Sequence, residues 1–338
     1  MKKKIFAALL AFTMVFAFTA CGGGSSDGGD GGESAEAIHL SLGHTNNTEH
    51  HYQQLSENFA QLVSEKTGGS IVIDIYPAEQ LGSGQEQMEY VKSGTQDMCL
   101  NPDAYMANYD PMFNAIEMPF AITSWDQVRN LPGSEAAKTL EAAAEAQGIK
   151  ILGWSANGMR VFSTTKEVNS PADLSGLKIR CGSAELINAM ITALNAQPTT
   201  LSMSDIYNGV QTGICDGQEN PTANIMGFKL YEVTPYIAVT HHQYCAEPLY
   251  MNLDKFNSLS EEQQQALLEA AAEACAADVE VVASGEEGDL KAMEEEYGCT
   301  ITYPDQAAFE EVFAPVTQSF YDKYGADFQA LCEQIKAL

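Results

Sequence analysis

Arginine is scarce in this chain: Arg129, Arg160 and Arg180 stand against fourteen lysines. Apolar runs are short as well. The longest, Ile5 to Phe18, is about fourteen residues, below the ~20 that a membrane-spanning helix needs. Outside the glycine-rich stretch Gly22–Gly32 there is no GxSxG, and the chain has no HExxH, no glycine-rich phosphate loop and no CxxC. These absences remove the recognisable starting points for serine hydrolysis, zinc proteolysis, nucleotide binding and thiol exchange. Positive charge is short overall, with a net charge of -29. So acidic a surface argues against nucleic acid, whose phosphates need basic patches. An anion binder of this charge must place its cations locally. Cysteine is not lacking, but its number is odd once Cys21 is set aside: Cys99, Cys181, Cys215, Cys245, Cys275, Cys299 and Cys332 cannot all pair. Most are expected as small buried apolar fillers, with a disulfide or two left open.

What is present begins with an export signal. Lys2, Lys3 and Lys4 precede the apolar run, and Phe18-Thr19-Ala20-Cys21 follows it. That order predicts a secretory signal over residues 1–20 with Cys21 as the lipid-bearing residue of a bacterial lipoprotein, though Phe18 stands where Leu is usual. The alternative is a soluble secreted protein with an incidental Cys21. Gly22 to Gly32 make a glycine-rich stretch that cannot bury apolar surface, so residues 21–37 read as a flexible tether. Loss of the three signal lysines would bring the net charge to about -32. The expected location is extracytoplasmic, with the membrane reached through the lipid alone.

The remaining ~300 residues are long enough for two domains. Ile38–Leu42 alternates as a strand, and Tyr52, Leu55, Phe59, Leu62 and Val63 fall at helical spacing before Gly68-Gly69. Ile71–Tyr76 is strongly β, a helix is expected around Met88–Val91, and a short strand at Met98–Leu100. Ala136–Ala146 reads as helix and Ile149–Leu152 as strand. The second half repeats this: strands at 160–163 and 177–180, helices at 183–194 and 204–212, and a short strand at 213–215. A long helix from Ser260 continues past Cys275, toward Tyr297 at its furthest, with closing helices at 306–324 and 328–338. The alternation predicts an α/β protein with mainly parallel sheets. Domain I is expected over 38–157 and 246–285, and domain II over 158–245 and 286–338.

Arginine grips a carboxylate with two parallel hydrogen bonds, which lysine cannot do. Arg180 ends the strand Leu177–Arg180, and Cys181-Gly182-Ser183 leads into a helix. Ligands of open α/β sheets bind at such strand ends, beside helix N-termini. Ser183 is placed as the helix N-cap and as a ligand-facing hydroxyl. The competing reading is an exposed arginine with Ser183 serving the helix alone. Arg160 ends Gly153–Arg160, read as a glycine-flanked loop between two strands, and Trp154 in it suits a pocket with an apolar wall and a charged end or, more commonly, the core. Asn220 follows Asp216–Glu219 in an amide-rich segment whose signal is weak by itself. The pairs His50-His51 and His241-His242 lack metal-ligand spacing, so no metal is expected, nor any cofactor.

Gln80-Leu81-Gly82, Met118-Pro119-Phe120, Gly158-Met159-Arg160, Asp173–Arg180 and Asp216–Pro221 occur in the order found in TRAP (tripartite ATP-independent periplasmic) solute-binding proteins. The chain resembles that family from about Ile38 to its C-terminus. The resemblance implies a bilobal, type II-like periplasmic-binding-protein fold, with two α/β domains and a long helix crossing both. It implies a small carboxylate ligand held by Arg180, with Asn220 donating a hydrogen bond and Arg160 approaching the same carboxylate or supporting the pocket. Met203, before the helix carrying Tyr207, falls at a pocket-wall position. Asn101 and Tyr105 lie in a first-domain loop that varies with ligand, and Thr45 and Asn46 in another. Gly84, Pro102 and Tyr105 replace the charged residues of sialic-acid binders and argue against that ligand. An apolar or aromatic monocarboxylate, a keto acid or a C4-dicarboxylate remains open. The implied partners are integral membrane TRAP subunits. The nearest alternative is an ABC-type amino-acid- or peptide-binding lipoprotein. A secreted hydrolase has only an unmotivated nucleophile in its favour.

Overall fold

The computed structural model describes residues 36–338. The expected signal segment, Cys21 and nearly all of the tether lie outside the described residues. Strands β1 (Ile38–His44), β2 (Ile71–Tyr76), β3 (Met98–Leu100) and β4 (Ile149–Met159) belong to a first sheet, with helices α1 (His51–Lys66), α2 (Gly84–Ser93), α3 (Trp125–Asn130) and α4 (Glu135–Ala146) between them. Strands β5 (Val161–Thr164), β6 (Lys178–Cys181), β7 (Gln197–Thr200), β8 (Gly217–Asn220) and β9 (Tyr236–Ala238) form most of a second sheet, with α5 (Glu185–Ala193), α6 (Ile206–Gln211) and α7 (Thr222–Gly227). The chain then returns to the first sheet as β10 (Tyr244–Asn252), followed by α8 (Leu253–Asn257) and α9 (Glu261–Glu295). Strand β11 (Thr300–Thr302) adds to the second sheet before α10 (Gln306–Lys336).

The order is β2-β1-β3-β10-β4 in one sheet and β11-β9-β5-β8-β6-β7 in the other. Both are mixed, but as expected mainly parallel: one strand in each is reversed, β10 antiparallel to β3 and β4, and β5 antiparallel to β8 and β9. The two sheets, each covered by helices, make a bilobal α/β fold. Its first lobe packs as the periodicity requires: Leu40, Leu42, Ile71 and Ile73 meet Tyr52, Phe59 and Val63 of α1.

The chain passes between sheets at two adjacent places. Arg160 is the single residue between β4 and β5, and Val239–Gln243 joins β9 to β10. The backbone N–H of Arg160 donates to the Gln243 carbonyl at 2.8 Å, tying the crossovers together. Gly158, just before the crossing, has φ 121°, with the ring of Pro221 packed where a Cβ would point. A side chain there would be strained by its backbone before it met any neighbour. The helix α9 is a third link. It runs unbroken for 35 residues from a Ser260 capping box, past Gly285 and Gly288, packing on α1 and β4 of one lobe and on α7 and β11 of the other.

Several boundaries differ from expectation. The stretch Gly153–Met159 is not a loop but the second half of β4, paired with β10 through two irregularities. The expected strand at 213–215 is a turn, and the strand follows at Gly217–Asn220. Its residues are polar because β8 is buried for its hydrogen bonds, so hydrophobicity does not mark it. Helix α5 begins at Glu185 with Ala184 at the cap position, so Ser183 is not the N-cap. The closing helix is kinked at Gly325, whose φ 82°, ψ -167° is not helical, matching the expected division into two. All seven cysteines of the described residues are free and buried, so neither disulfide left open is formed.

Candidate functional site

Between the lobes lies a narrow cleft. Arg160 and Arg180 line it, with the amides of Asn46, Asn157, Asn220 and Asn224. Each comes from a different structural cause. Arg180 sits on β6, in register with Thr199 of β7 and Gln218 of β8, near the strand's carboxyl end. Asn220 ends β8, and Pro221 turns the chain into α7, which carries Asn224 one helical turn on. Thr45 and Asn46 leave β1, and Asn157 lies on β4.

The two arginines are in opposite electrostatic states. Arg160, 5% exposed, is paired with Glu219: Nε donates to Oε2, and Nη2 to Oε1 at 2.9 Å and to the Glu219 carbonyl at 2.9 Å. Nη2 also reaches Asn220 Oδ1 at 3.3 Å. Burial alone would lower the pKa of Arg160, but Glu219 beside it holds it raised. Burial would raise the Glu219 carboxyl, and Arg160 with His242 instead holds it down at about 2. The ring of His242 lies 3.7 Å from Glu219 and stacks on Phe162; its pKa is lowered by burial.

Arg180, 2% exposed, has no acidic partner among the described residues. Nε and Nη2 donate to the Leu201 carbonyl at 2.9 and 2.6 Å, and Nη1 lies 3.6 Å from Met203 Sδ. Burial lowers its pKa. A buried guanidinium without a counter-ion costs free energy that an incoming carboxylate can offset.

Other predicted residues fall in and out of the cleft. Thr45, Asn46, Tyr105, Arg160, Arg180, Ser183, Met203 and Asn220 line it. Tyr105 is carried by a 3₁₀ turn after β3, against Gly84, where a Cβ would come within 2.6 Å of its ring. Asn101 stands behind this contact, donating to the Gly84 carbonyl at 3.1 Å. Two residues lie elsewhere. Trp154 donates to Glu141 at 2.9 Å and faces a different cavity, since alternation along β4 turns it away. Tyr207 donates to Glu232 at 2.8 Å on the outside of α6. Asn157, Asn224, Tyr52 and Ile187 line the cleft without having been singled out. Asn224, one turn after Asn220, was the one with a readable signal.

Three contacts cross the cleft: Asn46 Nδ2 to Asn224 Oδ1 at 3.3 Å, Asn47 Nδ2 to the Gly227 carbonyl at 2.6 Å, and Ser204 Oγ to Glu79 Oε2 at 2.7 Å. The lobes are therefore closed on one another. A larger cavity opens on the side of α9. Its sole cationic side chain among the described residues besides histidine is Lys229, opposed by Glu49, Glu286 and Asp289. It lacks the charge to hold an anion. The histidine pairs are structural: His50 caps α1, His51 meets Asp278 at 3.0 Å, and His241 meets Glu286. No group of His, Cys, Asp and Glu among the described residues is arranged to hold a metal. No helix there is long and apolar enough to cross a membrane.

Comparison with known proteins extends the picture. The model of the bacterial extracellular solute-binding proteins of family 7 matches residues 42–324. The 2,3-diketo-L-gulonate-binding periplasmic protein of Escherichia coli (strain K12) is 29% identical over 285 residues, covering 83% of this chain and 87% of that protein. The C4-dicarboxylate-binding periplasmic protein of Rhodobacter capsulatus is 29% identical, covering 80% of this chain and 82% of that one. Among solved structures, a TRAP periplasmic solute-binding protein from Roseobacter denitrificans with bound β-D-glucuronate superposes with a TM-score of 0.85 at 26% identity, covering 88% of this chain and 99% of that one.

Proposed function

The chain belongs to the bacterial extracellular solute-binding proteins of family 7, and on that premise we propose that its interlobe cleft captures a small organic acid through Arg180. It is a TRAP-type binding protein and not an enzyme. Neither the family match nor the relatives point to an ABC-type amino-acid or peptide binder. The observation that carries the assignment of the site is the state of Arg180: buried, held by Leu201 and Met203, and without a carboxylate. The relatives that bind diketogulonate, C4-dicarboxylates and glucuronate all take carboxylate ligands, which agrees with this.

The mechanism follows from the geometry. The ligand carboxylate enters between the lobes and takes the two-pronged hydrogen bonds that Arg180 offers. Asn220, oriented by its contacts to Arg160 and Gln218, supplies a further polar contact. Arg160 works as support, because Glu219 already neutralises it. Closure then excludes water, which strengthens the charge pair. Thr45, Asn46, Tyr105, Ser183 and Met203 shape the remaining wall. Lobes drawn at 38–157 with 246–285, and 158–245 with 286–338, place both crossovers at the hinge.

The ligand passes from the closed cleft to integral membrane TRAP subunits. We further infer that Cys21 carries a lipid that keeps the protein at the membrane, supported by Phe18-Thr19-Ala20-Cys21 and the tether behind it. Metabolic labelling with a radioactive fatty acid should mark the wild type and leave Cys21→Ser unlabelled. The site itself is tested by thermal-shift screening of small acids. A ligand at 100 times its Kd should stabilise the protein by about 2.7 kcal/mol. That shift should vanish in Arg180→Ala; a shift that persists there moves the site elsewhere.

A further inference from the structure

Two features of the cleft, its charge and its unfilled acceptors, narrow the ligand. The charge is smaller than two arginines suggest. Among the described residues no lysine or histidine lines the cleft, and Arg160 is already neutralised by Glu219. One positive charge, Arg180, is left over. The other charge near it is negative. Glu79 is half-buried at the rim, its carboxylate accepting from Ser204, with Asp205 close enough to raise its pKa further after burial has done so. A second carboxylate buried here would find no cation among the described residues, and the charges of Glu79 and Asp205 nearby would oppose it. Such an unpaired buried charge is strongly disfavoured.

The acceptors are the second feature. Asn46, 1% exposed, spends its Nδ2 on Asn224 and His50, and its Oδ1 has no hydrogen-bond partner. Asn157, 2% exposed, turns its Nδ2 to Cys245 Sγ at 3.7 Å, and its Oδ1 is likewise unpartnered. Both residues line the cleft. Buried carbonyl oxygens of this kind require donors, because leaving them unmade carries the full desolvation penalty. An ionised carboxylate or a keto oxygen only accepts, whereas a hydroxyl donates.

We propose that the cleft selects a singly charged hydroxy acid, its carboxylate on Arg180 and its hydroxyls donating to Asn46 and Asn157. This rests on the reading of the Arg180 cleft as the solute site. It separates the open possibilities on two axes: dicarboxylates fail on charge, and unsubstituted or keto monocarboxylates fail on donors.

Isothermal titration calorimetry on the purified protein tests both axes with matched ligands. The panel comprises aldonates and uronates of four to six carbons, the aldarates of the same skeletons, and succinate, malate, pyruvate and hexanoate. At least one aldonate or uronate should bind at least about tenfold more tightly than the aldarate of its own skeleton, since like charges oppose the latter. Hexanoate and pyruvate should bind weakly or not at all. An aldarate or succinate that binds as tightly as the best hydroxy monoacid, with binding lost in Arg180→Ala, overturns the inference and leaves the solute site standing. Hexanoate or pyruvate as the tightest ligand overturns it too. Heat from no acid in the panel would remove the solute-site reading and the inference together.

Discussion

Arg180 donates two hydrogen bonds to one backbone oxygen, that of Leu201, at 2.9 and 2.6 Å. The carbonyl fixes the guanidinium in place without cancelling its charge. Arg180 is thus oriented and still electrostatically unsatisfied, in contrast to Arg160 twenty residues earlier, which Glu219 satisfies. This contrast separates binding from stability. Arg180→Ala should weaken binding by about 2–5 kcal/mol while leaving the ligand-free protein as stable or more so, because a buried unpaired cation is removed. Arg180→Lys should also weaken binding, since a point charge cannot reproduce the fork. Calorimetry and thermal unfolding of the same samples check the pair of outcomes.

Glu219→Gln should do the reverse at the level of the fold. It strands the Arg160 guanidinium without its counter-ion, which costs about 3–5 kcal/mol when a buried pair is broken. Urea unfolding at neutral pH measures this. A loss under 1 kcal/mol would mean that Asn220 and the Glu219 carbonyl suffice for Arg160.

Glu247 is fully buried, accepts from Tyr52, and has one oxygen without a partner. Burial holds its carboxyl well above the usual range. A raised carboxyl stabilises the fold fully below the unfolded value, and that stability is lost as pH rises toward the folded value. Asp103, raised by burial and by the neighbouring Glu117, and Glu117, raised by burial against a hydrogen bond to Asp103 that pulls it down, add to the slope. Glu247→Gln imitates the protonated acid, so it should be tolerated at pH 6 and should lose less stability than wild type between pH 6 and 9. Urea midpoints across that range decide, and parallel curves would mean that Glu247 carries its charge in the fold.

His44 shows the opposite sign. It is 0% exposed, and burial brings its pKa from 6.5 to about 4, against a hydrogen bond to Gln53 that pulls it upward. Its contribution is present above pH 6.5 and is lost as pH falls to 4, worth about 3 kcal/mol at 1.36 kcal/mol per pH unit. His50 and His242 are lowered in the same direction. His44→Gln should flatten the stability curve between pH 6.5 and 4 by roughly that amount, measured by denaturant unfolding at half-unit steps.

The seven thiols among the described residues should be silent in the native state and all react on unfolding, as burial pushes each thiol up or away from reagent. Titration with a coloured disulfide reagent, with and without guanidinium, counts them. Rapid native reaction of any of them would show that its element opens readily.

Local patterns that need only neighbours along the chain were legible in the sequence. The alternation of β1 and β2, the helical spacing of α1, the capping serine of α9 and the glycine that divides α10 each depend on residues within a few positions. Arg180 was readable for the same reason, as a charged residue between an apolar strand and a turn. The mixed sheets were not, because β10 pairs with β3 and β4 from far along the chain, and pairing direction leaves no mark within one strand. Polar β8 and the second half of β4 escaped notice because their burial comes from flanking strands rather than from their own side chains. Which arginine keeps its charge was also a tertiary decision. From the sequence, Arg180 was expected to hold the carboxylate, and Arg160 was left between approaching it and supporting the pocket. Only the antiparallel register of β5 with β8 brings Glu219 against Arg160, and among the described residues Arg180 is left with a backbone carbonyl and no acidic partner.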